Sequence, residues 1–345
     1  MQAATVLLDA THTRARRLAA VVVLLVSGGC GTGNFSESSD GIGFPGTSPW
    51  VKIDQRPDVS NALGIQAVSF AAPLGDELRD PCVIELADGG RALYYASADS
   101  GSIGRTQSAA DGLDWQRPVR VLSPTETWER GAVRGMSILE HDGRFEAWYE
   151  AGDGAGIGRA VSSDGIRWSK EPAQAVLTPE EPWEVGAIRA PSVAAAGDGR
   201  LWMAYEVGDG AGVGVAWSDD GEDWNRVGLA FGRGEAAAWD EARVAAPALQ
   251  IETSAAGRTV FRAWYEGMAG NDYSIGEAAS YDGATWTRSP YNPVLAESPP
   301  LGLTIGADER QPWVVGEAGS RELWFIGKQL DPLAQGVGVA LDRSS

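Results

Sequence analysis

The stretch SDDGEDW, residues 218–224, recurs along the chain with its serine, its Asp-Gly pair and its tryptophan in place. The other copies end at Trp115, Trp168 and Trp286, so successive tryptophans lie 53, 56 and 62 residues apart. A recurrence at about 50 residues is typical of stacked or radially repeated units. Asp-Gly between two apolar runs indicates a hairpin turn, because both turn residues must accept a positive φ. Each unit is therefore predicted to be an antiparallel β-meander.

The repeat at residues 183–238 shows how four strands fit into one unit. Its predicted strands cover residues 191–195, 200–206 and 213–218 and a fourth segment from Trp224. Asp-Gly pairs and a glycine-rich loop separate these strands. Four antiparallel strands per unit are typical of a propeller blade. We therefore predict an all-β fold, a five-bladed β-propeller.

The last repeat, residues 306–342, has three predicted strands and lacks the final tryptophan strand. The segment that begins at Trp50 resembles the fourth strand that begins at Trp115. We predict that this N-terminal strand pairs into the C-terminal blade, which closes the ring and removes both exposed sheet edges. One propeller domain then covers residues 49–342.

The start of the chain is typical of an export signal. Basic residues precede a short apolar run, too short to span a bilayer, and small residues lead to Cys30. The segment VSGGC, residues 26–30, resembles a bacterial lipoprotein box, although Ser27 stands where leucine is usual. The resemblance implies a signal peptide at residues 1–29 and a lipid on Cys30. Residues 30–48 are predicted to be a flexible tether. We expect a protein lipid-anchored in the cell envelope, with simple secretion as the alternative.

Composition narrows the possible partners. The net charge is −19, and such a surface repels phosphate backbones, so we expect no nucleic acid partner. The two histidines, His12 and His141, cannot form a His-rich metal site, and His141 is interpreted as a solvated turn residue. The GDGAG segments at residues 152–156 and 208–212 are predicted hairpin loops. Cys82 is predicted to be buried and unpaired. We expect a monomer without metal or cofactor.

Candidate functional residues lie where the inner strands begin and the second strands end, because these ends converge on one face of a propeller. Asp80 is the single acidic residue at its repeat position. The other blades place Gly135, Ala190, Ala246 and Gln311 there. A position that departs from the repeat is a candidate for function. The arginines at the inner strands are Arg79, Arg134 and Arg189, and the second strands end at Glu150, Glu206 and Glu266.

Two interpretations of these charged residues stay open. In a hydrolytic site, Asp80 is the base or stabiliser, Glu150 or Glu206 is the acid, and the arginines bind substrate hydroxyls or a sugar acid. In the other interpretation, the glutamates and arginines form a structural ring of ion pairs between blades. The tryptophans before the inner strands either pack between blades or offer a flat face to a sugar. They are Trp128, Trp183 and Trp239.

The blade pattern resembles the five-bladed propeller glycoside hydrolases of families 43 and 32, which include arabinanase, β-xylosidase, levansucrase and invertase. The resemblance covers residues 49–342 and includes IGRAVS at 157–162, the Asp-Gly-x-x-Trp turns and NPVL at 292–295. Arg79-Asp80-Pro81 resembles the family's Asp-Pro, which implies that Asp80 is a general base. The family's second Asp and its acid Glu are missing, because those places read Met136-Ser137 and Arg189-Ala190-Pro191. An invertase-like Asn-Asp-Pro-Asn is also missing.

The sequence therefore predicts a carbohydrate-active protein whose hydrolysis of O-glycosyl bonds is an open question. One alternative is a surface lipoprotein that binds glycans without cleaving them. Another is an interaction scaffold, a common role of propellers. Sialidase-like chemistry at the three arginines is disfavoured by the five blades and by the lack of a clear tyrosine nucleophile.

Overall fold

The computed structural model describes residues 44, 50–52, 78–97, 100–109, 115–141, 143–296, 305–330 and 333–342. Within these residues the fold is all β, with five sheets of four antiparallel strands each, as predicted. None of these residues belongs to a helix long and apolar enough to cross a bilayer. The predicted signal peptide, Cys30 and the tether lie outside the described residues.

Each sheet is one blade, and in blades 1 to 4 the strands follow the chain from the inner to the outer position. Blade 1 contains β2 (Leu78–Glu85), β3 (Arg91–Ser97), β4 (Ser102–Gln107) and β5 (Val119–Leu122). Blade 2 contains β6 (Val133–His141), β7 (Arg144–Ala151), β8 (Gly156–Ser162) and β9 (Ser169–Lys170). Blade 3 contains β10 (Ile188–Ala195), β11 (Leu201–Val207), β12 (Gly212–Ser218) and β13 (Asn225–Gly232).

Blade 4 keeps this order, whereas blade 5 takes the N-terminal strand as its outer strand. Blade 4 contains β14 (Arg243–Thr253), β15 (Thr259–Ala269), β16 (Asp272–Ser280) and β17 (Trp286–Arg288). Blade 5 contains β18 (Ile305–Val315), β19 (Glu322–Leu330), β20 (Leu333–Asp342) and β1 (Trp50–Lys52). Short 3₁₀ helices at Thr127–Glu129 and Pro182–Glu184 precede the inner strands of blades 2 and 3.

The N-terminal strand closes the ring. Strand β1 pairs antiparallel with β20, and Trp50 lies opposite Asp342. The buried indole of Trp50 packs edge-on against Trp264 of blade 4, with ring centroids 6.0 Å apart. Trp224 makes the same contact with Trp148, also at 6.0 Å. The prediction that residue 50 begins the missing fourth strand is therefore confirmed.

The recurring turn motif has a structural role, as predicted. In blade 3, Ser218 Oγ accepts the N–H groups of Asp220 and Gly221, at 3.2 and 2.8 Å. The Trp224 indole N–H donates to the Gly221 carbonyl oxygen at 3.1 Å, which fixes the tryptophan against its own turn. The same carbonyl accepts the indole N–H of Trp148 at 2.9 Å, which joins this turn to blade 2. The motif thus braces the turn and fastens adjacent blades.

Other local predictions fit the described structure. The GDGAG segments form the β7–β8 and β11–β12 hairpin connections. Cys82 is free and fully buried. His141 ends inner strand β6, beside the Asp-Gly turn as predicted, and its solvation stays a prediction.

Candidate active site

The inner strands all bulge near their starts, at one end of the central channel, which we call the mouth. Five residues at matched positions have a positive φ between 42° and 52°. They are Asp80, Gly135, Ala190, Ala246 and Gln311. A proline follows four of them and removes an N–H donor there. These residues line a cavity of about 30 Å³ on the axis, which has room for about one water molecule.

Asp80 is half-buried at the mouth and is held by the last blade. Its Oδ1 accepts a hydrogen bond from Gln311 Nε2 at 2.7 Å, and its own N–H donates to Gln311 Oε1 at 2.9 Å. Burial raises the pKa of Asp80 to about 6, although the charges of Arg134 and Arg79 oppose the shift. Asp80 is therefore an ionised carboxylate at neutral pH.

The three glutamates at the ends of the second strands all make the same inter-blade contact. Glu150 accepts the N–H of Ala190 at 3.2 Å. In the next two blades, Glu206 accepts the N–H of Ala246 at 3.3 Å and Glu266 that of Gln311 at 3.2 Å. Their side chains are only 6, 3 and 4% exposed. Each carboxylate thus supports the bulge of the following blade.

Arg243, which was not predicted from the sequence, connects two of these glutamates. Its Nε lies 2.7 Å from Glu266 Oε1, its Nη2 lies 3.0 Å from Glu206 Oε1, and its Nη1 lies 3.0 Å from Asp209 Oδ1. Blades 2 and 3 carry alanine at this position and arginine two residues later, whereas blade 4 has Arg243 followed by Ala245. This swap of arginine and alanine could have identified Arg243 from the sequence, because residues two apart on a strand share a face.

The predicted arginines also reach the mouth, with weaker contacts to the glutamates. Arg189 Nη1 lies 3.6 Å from Glu150 Oε1. Arg134 Nη1 lies 2.9 Å from Asp153 Oδ1 on the β7–β8 loop. Arg79 is exposed on the rim beside Asp80. The structure therefore gathers the predicted charged residues at one end of the channel.

Burial gives the carboxyl groups at the mouth different pKa values. The pKa of Glu150 is raised to about 8, first by burial and then by the nearby charge of Asp80. The pKa of Glu206 is raised to about 7 by burial, although Arg243 opposes the shift. At neutral pH, Glu150 is therefore mostly protonated while Asp80 is mostly ionised. A protonated and an ionised carboxyl are the pair that glycoside hydrolysis uses.

Each of the three predicted tryptophans stacks on a tyrosine of its own blade and also packs against a core cluster that this blade forms with the preceding one. Trp128 lies over Tyr149 with ring centroids 6.3 Å apart and an interplanar angle of 27°. The corresponding pairs are Trp183 with Tyr205 at 6.3 Å and Trp239 with Tyr265 at 5.5 Å. All three indoles remain half-buried, so part of each ring faces solvent.

A second repeated network, of hydrogen bonds and ion pairs next to these indoles, was also not predicted from the sequence. Glu129, fully buried, accepts a hydrogen bond from Tyr149 Oη at 2.9 Å and pairs with Lys170 Nζ at 2.5 Å. The equivalent sets are Glu184, Tyr205 and Arg226 in blade 3 and Asp240, Tyr265 and Arg288 in blade 4. The recurring Trp-Glu and Trp-Asp pairs could have revealed it. These acids are paired and enclosed, which indicates a structural role.

Nothing in the described part of the chain groups three or more His, Cys, Asp or Glu in a way that could hold a metal ion. The mouth carboxylates instead bind backbone N–H groups, Gln311 and Arg243. The groups that line and support the mouth thus include carboxyl, guanidinium and amide groups.

Comparison with known proteins shows which solved structures share this fold. No known protein family matches the chain by its sequence profile, and no curated protein matches it in sequence. Among solved structures, a thermostable family 43 glycoside hydrolase is similar, with a TM-score of 0.59 and 15% identity over 79% of this chain and 92% of that one. An α-L-arabinanase of Cellvibrio cellulosa, solved with arabinohexaose, has a TM-score of 0.57 and 15% identity over 77% and 91%.

An α-L-arabinofuranosidase from Lactobacillus brevis is similar as well, with a TM-score of 0.58 and 14% identity over 77% of this chain and 91% of that one. At these identities the likeness establishes the fold. The chain has the five-bladed propeller of these glycoside hydrolases, as the sequence resemblance implied.

Proposed function

We propose that the protein binds carbohydrate at the propeller mouth, with Asp80 as the carboxylate that contacts the ligand. The proposal rests on the observation that the carboxyl groups at the mouth differ in their burial and in their bonding partners. Glu206 and Glu266 are buried and share Arg243, and Glu150 is buried against the Ala190 N–H. Asp80, by contrast, is half-buried, and Gln311 donates a hydrogen bond to one of its two carboxylate oxygens, Oδ1.

The solved relatives support carbohydrate as the ligand class. The three similar structures are enzymes named for acting on sugars, and one of them was solved with an arabinose oligomer. Sugar hydroxyls both donate and accept hydrogen bonds, so a carboxylate flanked by arginines suits them. Arg79 and Arg134 provide such guanidinium groups beside Asp80.

A panel of plant and microbial polysaccharides, screened by affinity electrophoresis, tests this proposal. We expect at least one polysaccharide to retard the protein and Asp80→Asn to abolish most of the retardation. The matched control is Glu140→Gln, an exposed carboxylate at the end of β6 on the opposite face. Failure of every polysaccharide to bind, or equal binding by Asp80→Asn, would overturn the proposal.

Hydrolysis of the bound glycan is a second candidate, favoured by the protonation states of Glu150 and Asp80. With pKa values of about 8 and about 6, the pair holds one protonated and one ionised carboxyl between these limits. Glu150 would then be the acid and Asp80 the base. Release of reducing sugar between pH 6 and 8, lost in Glu150→Gln, is the expected result. Binding of a glycan with no release over long incubation would reject cleavage and leave the binding proposal standing.

We also propose, from the sequence alone, that the protein is exported and lipid-anchored through Cys30. The supporting features are the basic and apolar leader and the cysteine at the end of a small-residue stretch. Membrane fractionation with and without Cys30→Ser tests this. Release of the variant from the membrane fraction is expected, whereas unchanged fractionation would remove the lipid anchor.

A further inference from the structure

We propose that the opposite end of the central channel is a second ligand site, which takes a small molecule with an apolar body and a positively charged amine. We call this end the wide end. It lies on the face of the Asp-Gly turns, away from Asp80, so the inference does not depend on the proposed function of the mouth.

The wide end has the size of a ligand site. Its cavity has a volume of about 710 Å³, whereas the cavity at the mouth has about 30 Å³. The inner strands of all five blades contribute their final residues to its wall. Small-molecule sites typically have volumes of about 300–1,000 Å³. The wide end is therefore large enough to hold a compact organic molecule.

The wall of the cavity carries apolar side chains that are only half-buried. All five blades contribute such residues, namely Ile84, Leu139, Ala194, Ile251 and Val315. A ligand with an apolar body would remove this surface from water, which is favourable at about 25 cal/mol per Å² of apolar area. The wall thus favours a molecule with a hydrocarbon or aromatic part.

The charged residues of the cavity favour a cation. Its lining includes the carboxylates of Glu85, Glu140, Glu252 and Glu317 and a single guanidinium, that of Arg321. Arg321 pairs with Glu252 and donates to Gln250 Oε1 at 2.9 Å, so it balances a carboxylate already present.

The remaining three glutamates are exposed, and Glu85 lies 3.6 Å from Arg91. Since Arg91 offsets the charge of Glu85, it is mainly Glu140 and Glu317 that give the opening a negative potential, which attracts cations and repels anions. An amine entering the cavity can therefore place its charge at the rim and its apolar part against the wall.

Dansylcadaverine, which joins an apolar fluorophore to an ammonium group, is a suitable probe. We expect its emission to rise on saturable binding to the full chain, and the affinity to fall as salt is added. The uncharged dansylamide should bind more weakly and the anionic anilinonaphthalene sulfonate more weakly still. Replacing two rim carboxylates, Glu140→Gln with Glu317→Gln, should weaken dansylcadaverine binding by about tenfold, because each charge contributes a few-fold.

A blocking variant locates the site. Ala195 is exposed at the end of β10 and lines the cavity, so Ala195→Trp should fill its opening and abolish the signal. Ala284→Trp places the same side chain at an exposed turn on the same face, outside the lining, and should leave binding unchanged. Glycan binding at the mouth should be equal in both variants. Lack of saturable binding, or binding that survives both Ala195→Trp and the double glutamine variant, would overturn the proposal.

Discussion

Gln311 and Asp80 exchange two hydrogen bonds across the seam between the last blade and the first. Gln311 Nε2 donates to Asp80 Oδ1 at 2.7 Å, and the Asp80 N–H donates to Gln311 Oε1 at 2.9 Å. At the three preceding seams a glutamate accepts the corresponding N–H, with Glu150 as the first of them. The amide of Gln311 at this seam thus fixes the orientation of Asp80, which lines the cavity on the axis.

Gln311→Ala should raise the pKa of Asp80 above its present value of about 6. The variant removes an N–H donor that favours the charged carboxylate, so protonation becomes easier. A carbon-13 titration of the aspartate carboxyls measures this. Gln311→Asn shortens the side chain but keeps the amide, and should produce a smaller shift. An unchanged or lower pKa in Gln311→Ala would contradict the assigned role of the amide.

Arg243→Ala should destabilise the propeller by about 3 kcal/mol or more, because it leaves two buried carboxylates without their shared guanidinium. Glu206 and Glu266 lie 3.0 and 2.7 Å from Arg243. Chemical denaturation at pH 9, where Glu206 with its pKa of about 7 is ionised, measures the loss. The effect should shrink at low pH, where protonation neutralises the glutamates.

Two further variants separate this effect from a general cost of removing arginine. Arg243→Met combined with Glu206→Gln should recover part of the loss, because one of the buried charges is gone. Arg167→Ala removes an exposed pair with Asp164 and should leave the denaturation midpoint nearly unchanged. Equal losses in Arg243→Ala and Arg167→Ala would contradict the assigned role of Arg243.

Glu150→Gln should make the protein more heat-resistant at high pH. Burial raises the pKa of Glu150 in the folded state from 4.5 to about 8, so the folded state favours its protonated form. Such a group contributes stability below its unfolded pKa and loses that contribution as the pH rises through the folded value. The native protein should therefore become less stable between about pH 5 and pH 8.

The glutamine variant removes this titration and keeps an oxygen that can accept the Ala190 N–H. Its melting temperature should match that of the native protein at pH 5 and exceed it by about 2–6 °C at pH 9. Scanning calorimetry across this range provides the measurement. Glu140→Gln, at an exposed position, should follow the native curve at every pH. A parallel curve for Glu150→Gln would show that Glu150 is charged in the folded protein.

The fold followed from the sequence because its determinants are local and repeated. The Asp-Gly turns, the tryptophan period and the segment that begins at Trp50 were enough to predict the number of blades and the closure of the ring. Alignment of the blades also identified the bulge position occupied by Asp80. The partners of the charged residues did not follow, because they depend on which side chains meet across a seam. Arg243 reaches glutamates of two blades, a choice that no spacing in one blade encodes.

Cys82→Ser should be tolerated, because serine already occupies the equivalent position in two blades. The N–H of Ile138 points to the Cys82 sulfur, just as Ser137 Oγ accepts the N–H of Val193 at 2.8 Å and Ser192 Oγ that of Leu249 at 2.8 Å. Cys82→Val fills a similar volume without an acceptor and should cost about 1–3 kcal/mol for the unsatisfied N–H. Denaturant midpoints of the two variants test this. Equal stability of serine and valine at this site would exclude the inter-blade hydrogen bond.

Trp50→Ala should destabilise the protein by about 3–5 kcal/mol, the usual cost of removing a buried aromatic side chain. Trp50 is 7% exposed and packs edge-on against Trp264 across the closing seam. Trp224→Ala is the matched control, since Trp224 is 9% exposed and makes the same contact with Trp148 in the middle of the ring. Similar losses in urea denaturation are expected, because both indoles hold an outer strand to the preceding blade. A near-neutral Trp50→Ala beside a costly Trp224→Ala would mean that the ring is stable without its closing strand.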